Sequence, residues 1–329
     1  MLVLNAEDVR RALPMAEAIE GMKRAYAALS DGQAEVPLRT RLPIAPHRAL
    51  SLIMPAFVGD ADGEALAIKV VSLYPENPAH GLAYIQAAVV VLEAATGRTL
   101  GILEGSSLTA LRTGAAGGAA VDLLARPHCR VLAIFGAGAQ GRTQLEAACT
   151  VRTFTTVWVC DASPDQAQRL VTDLTGRTPV PADVRVASSP RQAVENADVI
   201  CTATTSSTPV FADADISPGV HISAVGSYTP EMQEIPGETA ARARIYVDSR
   251  TAALAETGDL IQPIRAGMFT ESHIEAELGE VLLGRKDGRL AANDITLFKS
   301  VGIAVQDAVA ASIAISNARR LGIGHEVEF

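Results

Sequence analysis

The sequence predicts an α/β protein in two parts, a parallel sheet with helical crossovers and a separate α+β unit. Three observations carry that prediction. The chain has 329 residues, more than one hydrophobic core usually supports. From Arg130 onward, short apolar runs alternate with helical patterns. Parallel strands demand such crossovers, because tight turns cannot join them. Before Arg130 the order is different: helical patterns come first, then four strand-like runs in succession.

Asn5 followed by Asp8 marks the first helix start, since both side chains can satisfy free backbone N–H groups. Pro14 opens a second helix, with Ala18, Met22, Ala25, Tyr26 and Leu29 on one face and Gly32 as its stop. After Pro37, residues 51–54, 65–73, 84–92 and 99–104 read as strands rich in β-branched side chains. Ala95-Thr96-Gly97 supplies the turn between the last two. A helix of small residues follows over about 108–125 and is ended by Pro127. In the second part, 131–135 is a strand, a glycine loop follows, and 140–151 is helical. Strand 156–160 ends at Asp161 and leads into a helix over 164–174. Runs at 184–187, 199–203, 221–225 and 245–247 continue the sheet. A last helix over 303–320, with Ala304, Ala308, Ala311 and Ile315 on one face, is expected to return to the first domain. The expected domains are therefore 1–125 with 303–329, and 126–302.

Hydrophobic residues make up 48% and charged residues 20%, which excludes a disordered chain. Lys and Arg total 28 against 37 Asp and Glu, a formal charge of −9. That balance argues against a nucleic-acid partner or an anionic membrane surface. Cys129, Cys149, Cys160 and Cys201 lie far apart, with no CxxC pair and no His at ligand spacing. They read as reduced core thiols, and no metal is expected. The opening MLVLNAEDVRR carries charges where a signal peptide needs its apolar segment. The longest apolar stretches, such as 87–92, are too short to cross a bilayer. The expected location is the cytoplasm.

The strongest local signal is the loop Gly136-Ala137-Gly138-Ala139-Gln140-Gly141, a GxGxxG placed directly after a strand and opening a helix. Gly136 permits the tight turn, Gly138 admits a pyrophosphate close to the backbone, and Gly141 lets helix and strand pack. Asp161 lies 20 residues after Gly141, where an acid meets the ribose hydroxyls of a dinucleotide. A carboxylate there favours NAD(H), and no Arg follows before Arg169 to neutralise a 2′-phosphate. NADP(H) stays open, because Asp161 could equally cap the next helix.

The residues now in hand resemble the ornithine cyclodeaminase/μ-crystallin family over nearly the whole chain. The matching stretches are Leu38-Arg39-Thr40, Met54-Pro55-Ala56, Ile68-Lys69-Val70-Val71 and Gly81-Leu82. Further along they are Leu108-Thr109-Ala110-Leu111-Arg112-Thr113, the Gly136 loop, Ala224-Val225-Gly226-Ser227 and Leu297-Phe298-Lys299-Ser300-Val301-Gly302. The resemblance implies a Rossmann dinucleotide-binding domain, an α+β substrate and dimerisation domain, and a homodimer. It also implies a small imino- or amino-acid substrate. The family holds ornithine cyclodeaminases, alanine dehydrogenases, cyclic-imine reductases and a hormone-binding crystallin, so the reaction has to be read from individual residues.

Lys69 stands in an apolar strand, where on its own it would read as a solvated face. By resemblance it is the proton donor to a substrate imine, its pKa lowered by desolvation. Arg39 and Arg112 are the candidate carboxylate clamps, since a guanidinium fork can fix a carboxylate. Arg41 shares the face of Arg39 on an extended chain and competes with it. Met54 and Glu256 complete the implied substrate pocket, although Glu256 is equally a helix-end acid before Gly258. Implied cofactor contacts are Tyr84, Thr109 and Arg112, the loop residues Gly136, Ala137, Gly138, Ala139, Gln140 and Gly141, and Asp161. Beyond these come Thr202, Ala203, Thr204, Val225, Gly226, Ser227, Lys299 and Ser300.

Two departures from the family's pattern discriminate among reactions. Tyr228 occupies the position of an Asp that the cyclodeaminases use in deamination. A phenol, with a pKa near ~10, is a poor base at neutral pH but can donate a hydrogen bond. Tyr84 replaces a small hydroxyl residue and narrows the pocket. The expected activity is NAD(P)H-dependent reduction of a cyclic ketimine carboxylate, of the Δ1-pyrroline-2-carboxylate to L-proline type. Ornithine cyclodeaminase is the alternative, followed by an alanine-dehydrogenase-like enzyme or a non-enzymatic binder.

Overall fold

The computed structural model describes residues 1–328. By internal contacts the chain divides into two compact units, 1–112 with 303–329, and 113–302. The division falls inside a helix (Gly105–Leu124), and the expected boundary after 125 lies at that helix's far end.

In the first unit, β1 (Leu2–Leu4) leads to α1 (Ala6–Ala12) and α2 (Met15–Ser30). Asn5 caps α1 as its sequence predicts: Oδ1 accepts from Glu7 N and Asp8 N, both at 2.9 Å, and Asp8 answers at Asn5 N. The strands are β2 (Ala34–Glu35), β3 (Thr40–Ile44), β4 (Ala49–Asp60), β5 (Gly63–Leu73), β6 (Ile85–Leu92) and β7 (Thr99–Glu104). Helix α3 (Gly105–Leu124) then carries the chain into the second unit.

There β8 (Val131–Phe135), α4 (Ala139–Val151), β9 (Thr156–Cys160), α5 (Pro164–Leu174), β10 (Val184–Val186) and α6 (Pro190–Val194) alternate strand and helix. They are followed by β11 (Val199–Thr202), β12 (His221–Ala224), α7 (Gly237–Arg242), β13 (Arg244–Val247), α8 (Arg250–Glu256) and α9 (Gly258–Arg265). After β14 (Ile274–Glu277), α10 (Leu278–Leu282) and β15 (Thr296–Lys299), the chain re-enters the first unit as α11 (Ala304–Leu321) and β16 (His325–Glu326).

The second unit's sheet has eight strands in the order β10-β9-β8-β11-β12-β15-β13-β14, and every pairing is parallel. Along β8 the side chains alternate between two cores: Ala133 and Phe135 on one face, Leu132 and Ile134 on the other. That alternation is the signature of a sheet covered by helices on both sides. The order reverses at β8, where the chain first builds outward to β10 and then returns to add β11. Such a reversal opens a crevice at the carboxyl ends of the strands.

The first unit's sheet runs β16-β1-β7-β6-β5-β4-β2, with β3 paired to β4. Helix α11 lies across β4, β5 and β6 and is buried along most of its length. On the sheet's opposite face the register aligns Pro55, Ile68, Val90 and Ile102 in one row, with Ile53, Val70 and Ala88 beside it. None of these seven side chains is fully buried, and Ile53 and Val70 are exposed. An apolar sheet face left open in this way marks an interaction surface.

Candidate functional site

Lys69 lies on the covered face of β5, directly opposite Met54 on β4, and is only 2% exposed. A lysine in that position needs a counter-charge, and α11 supplies it. Asp307 places Oδ2 2.7 Å from Lys69 Nζ and accepts from Arg112 Nε through Oδ1 at 3.1 Å. Arg112 Nη1 donates to Gln306 Oε1 at 3.0 Å, and Gln306 Nε2 donates to the Tyr26 hydroxyl at 2.7 Å. Lys69, Arg112 and Asp307 are all buried, so the cluster works at low dielectric.

Burial pushes the Lys69 ammonium down to about 8; Asp307 opposes that shift, while Arg112 and Arg39 add to it. Burial also pushes the Asp307 carboxyl up, but the two cations and their hydrogen bonds reverse this and hold it below its ordinary value. One carboxylate therefore faces two cations. The excess positive charge suits an anionic ligand. Arg112 Nη2 has no hydrogen bond among the described residues, so the guanidinium retains a donor.

The structure also separates the two competing arginines. Thr40 pairs with Ile53 and Arg41 with Leu52, so continuing that register puts Arg39 opposite Met54, in the row of Lys69. Arg39 is half-buried and its charge acts on Lys69, whereas Arg41 is exposed.

In the second unit the glycine loop forms a cradle. Gly136 has φ +93°, and a Cβ there would lie 2.5 Å from the Ala203 carbonyl oxygen. A Cβ on Gly141 would collide with the Gly136 carbonyl oxygen, which forces the close packing of helix on strand. Gly138 differs: a Cβ there would meet nothing within 4 Å. No neighbour in the chain requires that glycine, so its bare backbone faces space for a ligand. It is also the N-cap of α4 and gives that helix no side-chain cap. Uncapped N–H groups at a helix start attract an anion.

A cavity of about 920 Å³ opens beside this loop, lined by Gly136, Gly138, Asp161, Ser163, Ala203, Thr204 and Ser206 among others. Asp161 is fixed at both oxygens, Oδ2 by Ala137 N and Oδ1 by Ser163 N, each at 2.7 Å. No Lys, Arg or His lines the cavity. The loop, the helix start and the oriented acid fit a dinucleotide with free ribose hydroxyls.

The residues expected in the site are thus divided. Arg39, Arg41, Met54, Lys69, Tyr84, Thr109 and Arg112 belong to the first unit, and the remainder to the second. Thr109 Oγ1 is buried without a hydrogen-bond partner among the described residues, an orphan open to a ligand. Tyr84 and Tyr228 are exposed, and Glu256 ends α8 half-buried. Val225 and Gly226 follow β12 half-buried, while Ala137, Ala139 and Gln140 lie in or beside the loop.

Four expected cofactor contacts turn inward. Thr202 donates to Glu234, Ser227 bonds Met232 O and Thr257 Oγ1, Ser300 donates to Asp248, and Lys299 pairs with Asp259 at 3.0 Å. All four side chains are buried. The sequence reading did not find Asp307, Gln306 or Glu234. Asp307 carried a signal: it sits on the same helical face as Ala304, Ala308 and Ala311, and an acid on an apolar face asks for a partner.

Among the described residues, no helix is long and apolar enough to cross a membrane and no cluster of His, Cys, Asp and Glu could hold a metal ion.

The profile of the ornithine cyclodeaminase/mu-crystallin family matches residues 1–320. A Delta(1)-pyrroline-2-carboxylate reductase from Bacillus cereus is 40% identical over 331 aligned positions, covering 100% of both chains. Among solved structures, Thermococcus litoralis Delta(1)-pyrroline-2-carboxylate reductase in complex with NADH and L-proline superposes with a TM-score of 0.93. It is 40% identical and covers 99% of this chain and 100% of its own. An archaeal alanine dehydrogenase dimer with bound NAD superposes with a TM-score of 0.91 at 30% identity, covering 100% of this chain and 99% of its own.

Proposed function

The chain belongs to the ornithine cyclodeaminase/mu-crystallin family, and from that membership we propose that it is an NADH-dependent reductase of cyclic ketimine carboxylates, converting Δ1-pyrroline-2-carboxylate to L-proline. The observation that carries this reading is the buried Lys69–Asp307–Arg112 cluster, in which an ammonium with a pKa of about 8 stands among excess positive charge. Reduction of a C=N bond needs one hydride and one proton, and no activated water. Tyr228 at the position of the cyclodeaminase Asp is compatible with that demand, and the full-length similarity to two pyrroline-2-carboxylate reductases agrees with it.

NADH, when bound, would supply the hydride that the imine carbon needs. Arg39 and Arg112 Nη2 hold the substrate carboxylate, which fixes the adjacent carbon. Because Asp307 occupies Arg112 Nε and Gln306 occupies Nη1, Arg112 contributes Nη2 alone. Lys69 donates its proton to the ring nitrogen and is reprotonated from solvent. Met54, opposite Lys69, packs against the apolar ring. Gly136, Gly138, Gly141 and the start of α4 would hold the pyrophosphate, and Asp161 the ribose.

The test is NADH absorbance after mixing protein with Δ1-pyrroline-2-carboxylate, run beside an ornithine sample assayed for ammonia. Loss of NADH with matching L-proline supports the reductase. Ammonia and proline from ornithine, without net NADH loss, would replace it with the cyclodeaminase.

The cofactor preference follows from charge. A 2′-phosphate would face Asp161 with no cation in the cavity lining. NADPH is therefore expected to give kcat/KM lower than NADH by about tenfold or more. Asp161→Ser should narrow that gap and raise the KM for NADH, since the carboxylate also holds the loop. Equal steady-state efficiency with both nucleotides in the wild type would contradict the assignment.

The open apolar rows of the first unit's sheet support a homodimer, and the four free thiols accord with a location in the cytoplasm. Light scattering on the purified protein should give twice the 34.3 kDa chain mass. Ile68→Glu with Val70→Glu should shift it toward the monomer. A wild-type monomer at micromolar concentration would dismiss the dimer.

A further inference from the structure

Glu234 lies in the loop after β12 and is fully buried. Its Oε1 accepts from Thr204 N at 2.6 Å and Thr204 Oγ1 at 2.8 Å. Its Oε2 accepts from Thr202 Oγ1 at 2.9 Å, Gly226 N at 2.7 Å and Ser227 N at 3.3 Å. One carboxylate thus gathers five donors from the carboxyl ends of the adjacent strands β11 and β12. Burial pushes the Glu234 carboxyl up and Asp259 adds to that, while Lys299 and the donors gathered on its two oxygens favour the ionised form. A Cβ on Gly226 would collide with Glu234 Oε1 and the Thr204 carbonyl oxygen, so the sequence keeps room for this contact.

Behind it, Asp259 Oδ1 accepts from the backbone N–H groups of Glu234 and Ile235 at 2.6 and 3.0 Å. Asp259 Oδ2 stands 3.0 Å from Lys299 Nζ at the end of β15. All three side chains are 0% exposed. Two carboxylates and one ammonium leave a net negative charge beneath the loop of Ala203, Thr204 and Ser206, which lines the cavity.

A dinucleotide with its ribose on Asp161 and its pyrophosphate on the Gly136 loop would extend its other half over the carboxyl ends of β11 and β12, across the switch point. The nicotinamide ring is cationic when oxidised and neutral when reduced. We propose that Glu234, supported by Asp259 and Lys299, is a positioning residue that fixes the wall behind the nicotinamide and favours its oxidised, cationic form. Hydride loss builds positive charge on the ring, so the same charge assists donation to the imine. This inference rests on the assignment of the second unit to NAD(H).

The experiment measures dissociation constants for NAD+ and NADH separately, by calorimetry and by NADH fluorescence, on the wild-type protein, Glu234→Gln and Asp259→Asn. Circular dichroism verifies that each variant is folded. Either folded variant should weaken NAD+ relative to NADH by about tenfold, the effect of one unit charge acting over several ångström of protein. A folded variant that binds both forms with the wild-type ratio would overturn the proposal, even if both affinities fall together. Wild-type protein that binds neither nucleotide would instead overturn the NAD(H) assignment.

Discussion

Replacing Lys69 with Met is expected to lower kcat/KM for Δ1-pyrroline-2-carboxylate by about 10²–10⁴, the range that a positioned general acid contributes. Lys69 is the one ammonium of the buried cluster, and burial has brought its pKa down to about 8. At neutral pH it is mostly protonated, yet it releases its proton far more readily than an ordinary lysine near 10.5. Lys69→Arg is the sharper control. It retains a cation beside Asp307, but a guanidinium does not deprotonate in proteins, so it cannot act as the acid. Both variants should lose turnover while NADH fluorescence titrations give unchanged nucleotide affinity. Full activity in Lys69→Arg would show that the charge matters and the proton does not.

The second large effect concerns Asp307. Its carboxylate raises the Lys69 pKa against the pull of burial, while Arg112 lowers it. Wild-type kcat/KM should therefore fall on the alkaline side, with a limb near pH 8, as Lys69 loses its proton. Asp307→Asn removes the raising influence and leaves Arg112 in place, so the limb must move to lower pH. Activity at pH 7 should drop about 10-fold or more, and part of it should return on acidification. The same substitution leaves two buried cations without their counter-charge, which costs about 3–5 kcal/mol where a buried pair is broken. A lower melting temperature is thus expected alongside the shifted profile. A limb that stays at the wild-type pH in a folded Asp307→Asn protein would separate Asp307 from the chemistry.

Much of the second unit was legible because local rules and tertiary structure agree there. Strands β8 and β9 and helix α5 begin and end where apolar runs, the glycine loop and Pro164 place them. Strand β15 was not foreseen. It has only four residues, and it enters the sheet between β12 and β13, out of sequence order. Strand β3 contains Pro43, a residue that argues against a strand, and survives at the sheet's margin by pairing with β4 alone.

The chemistry divides in the same way. The Gly136 loop could be singled out from its sequence neighbourhood, whereas Lys69 stood out only through the family resemblance. Asp307 is 238 positions from Lys69, and only the folding of α11 across β5 brings them together. Lys299 looked like a cofactor contact because it belongs to a motif, but the fold turns it to Asp259 instead. Glu234 has no periodic context at all. Its role emerges only when the ends of β11 and β12 lie side by side.

The most direct measurement uses NADH carrying two deuterium atoms at C4 with Δ1-pyrroline-2-carboxylate, followed by mass spectrometry of the product. The account predicts L-proline with one deuterium at Cα, formed in equal amount to the NADH consumed. Unlabelled proline, or no proline while both nucleotide and imine are bound, would contradict hydride transfer to the imine carbon.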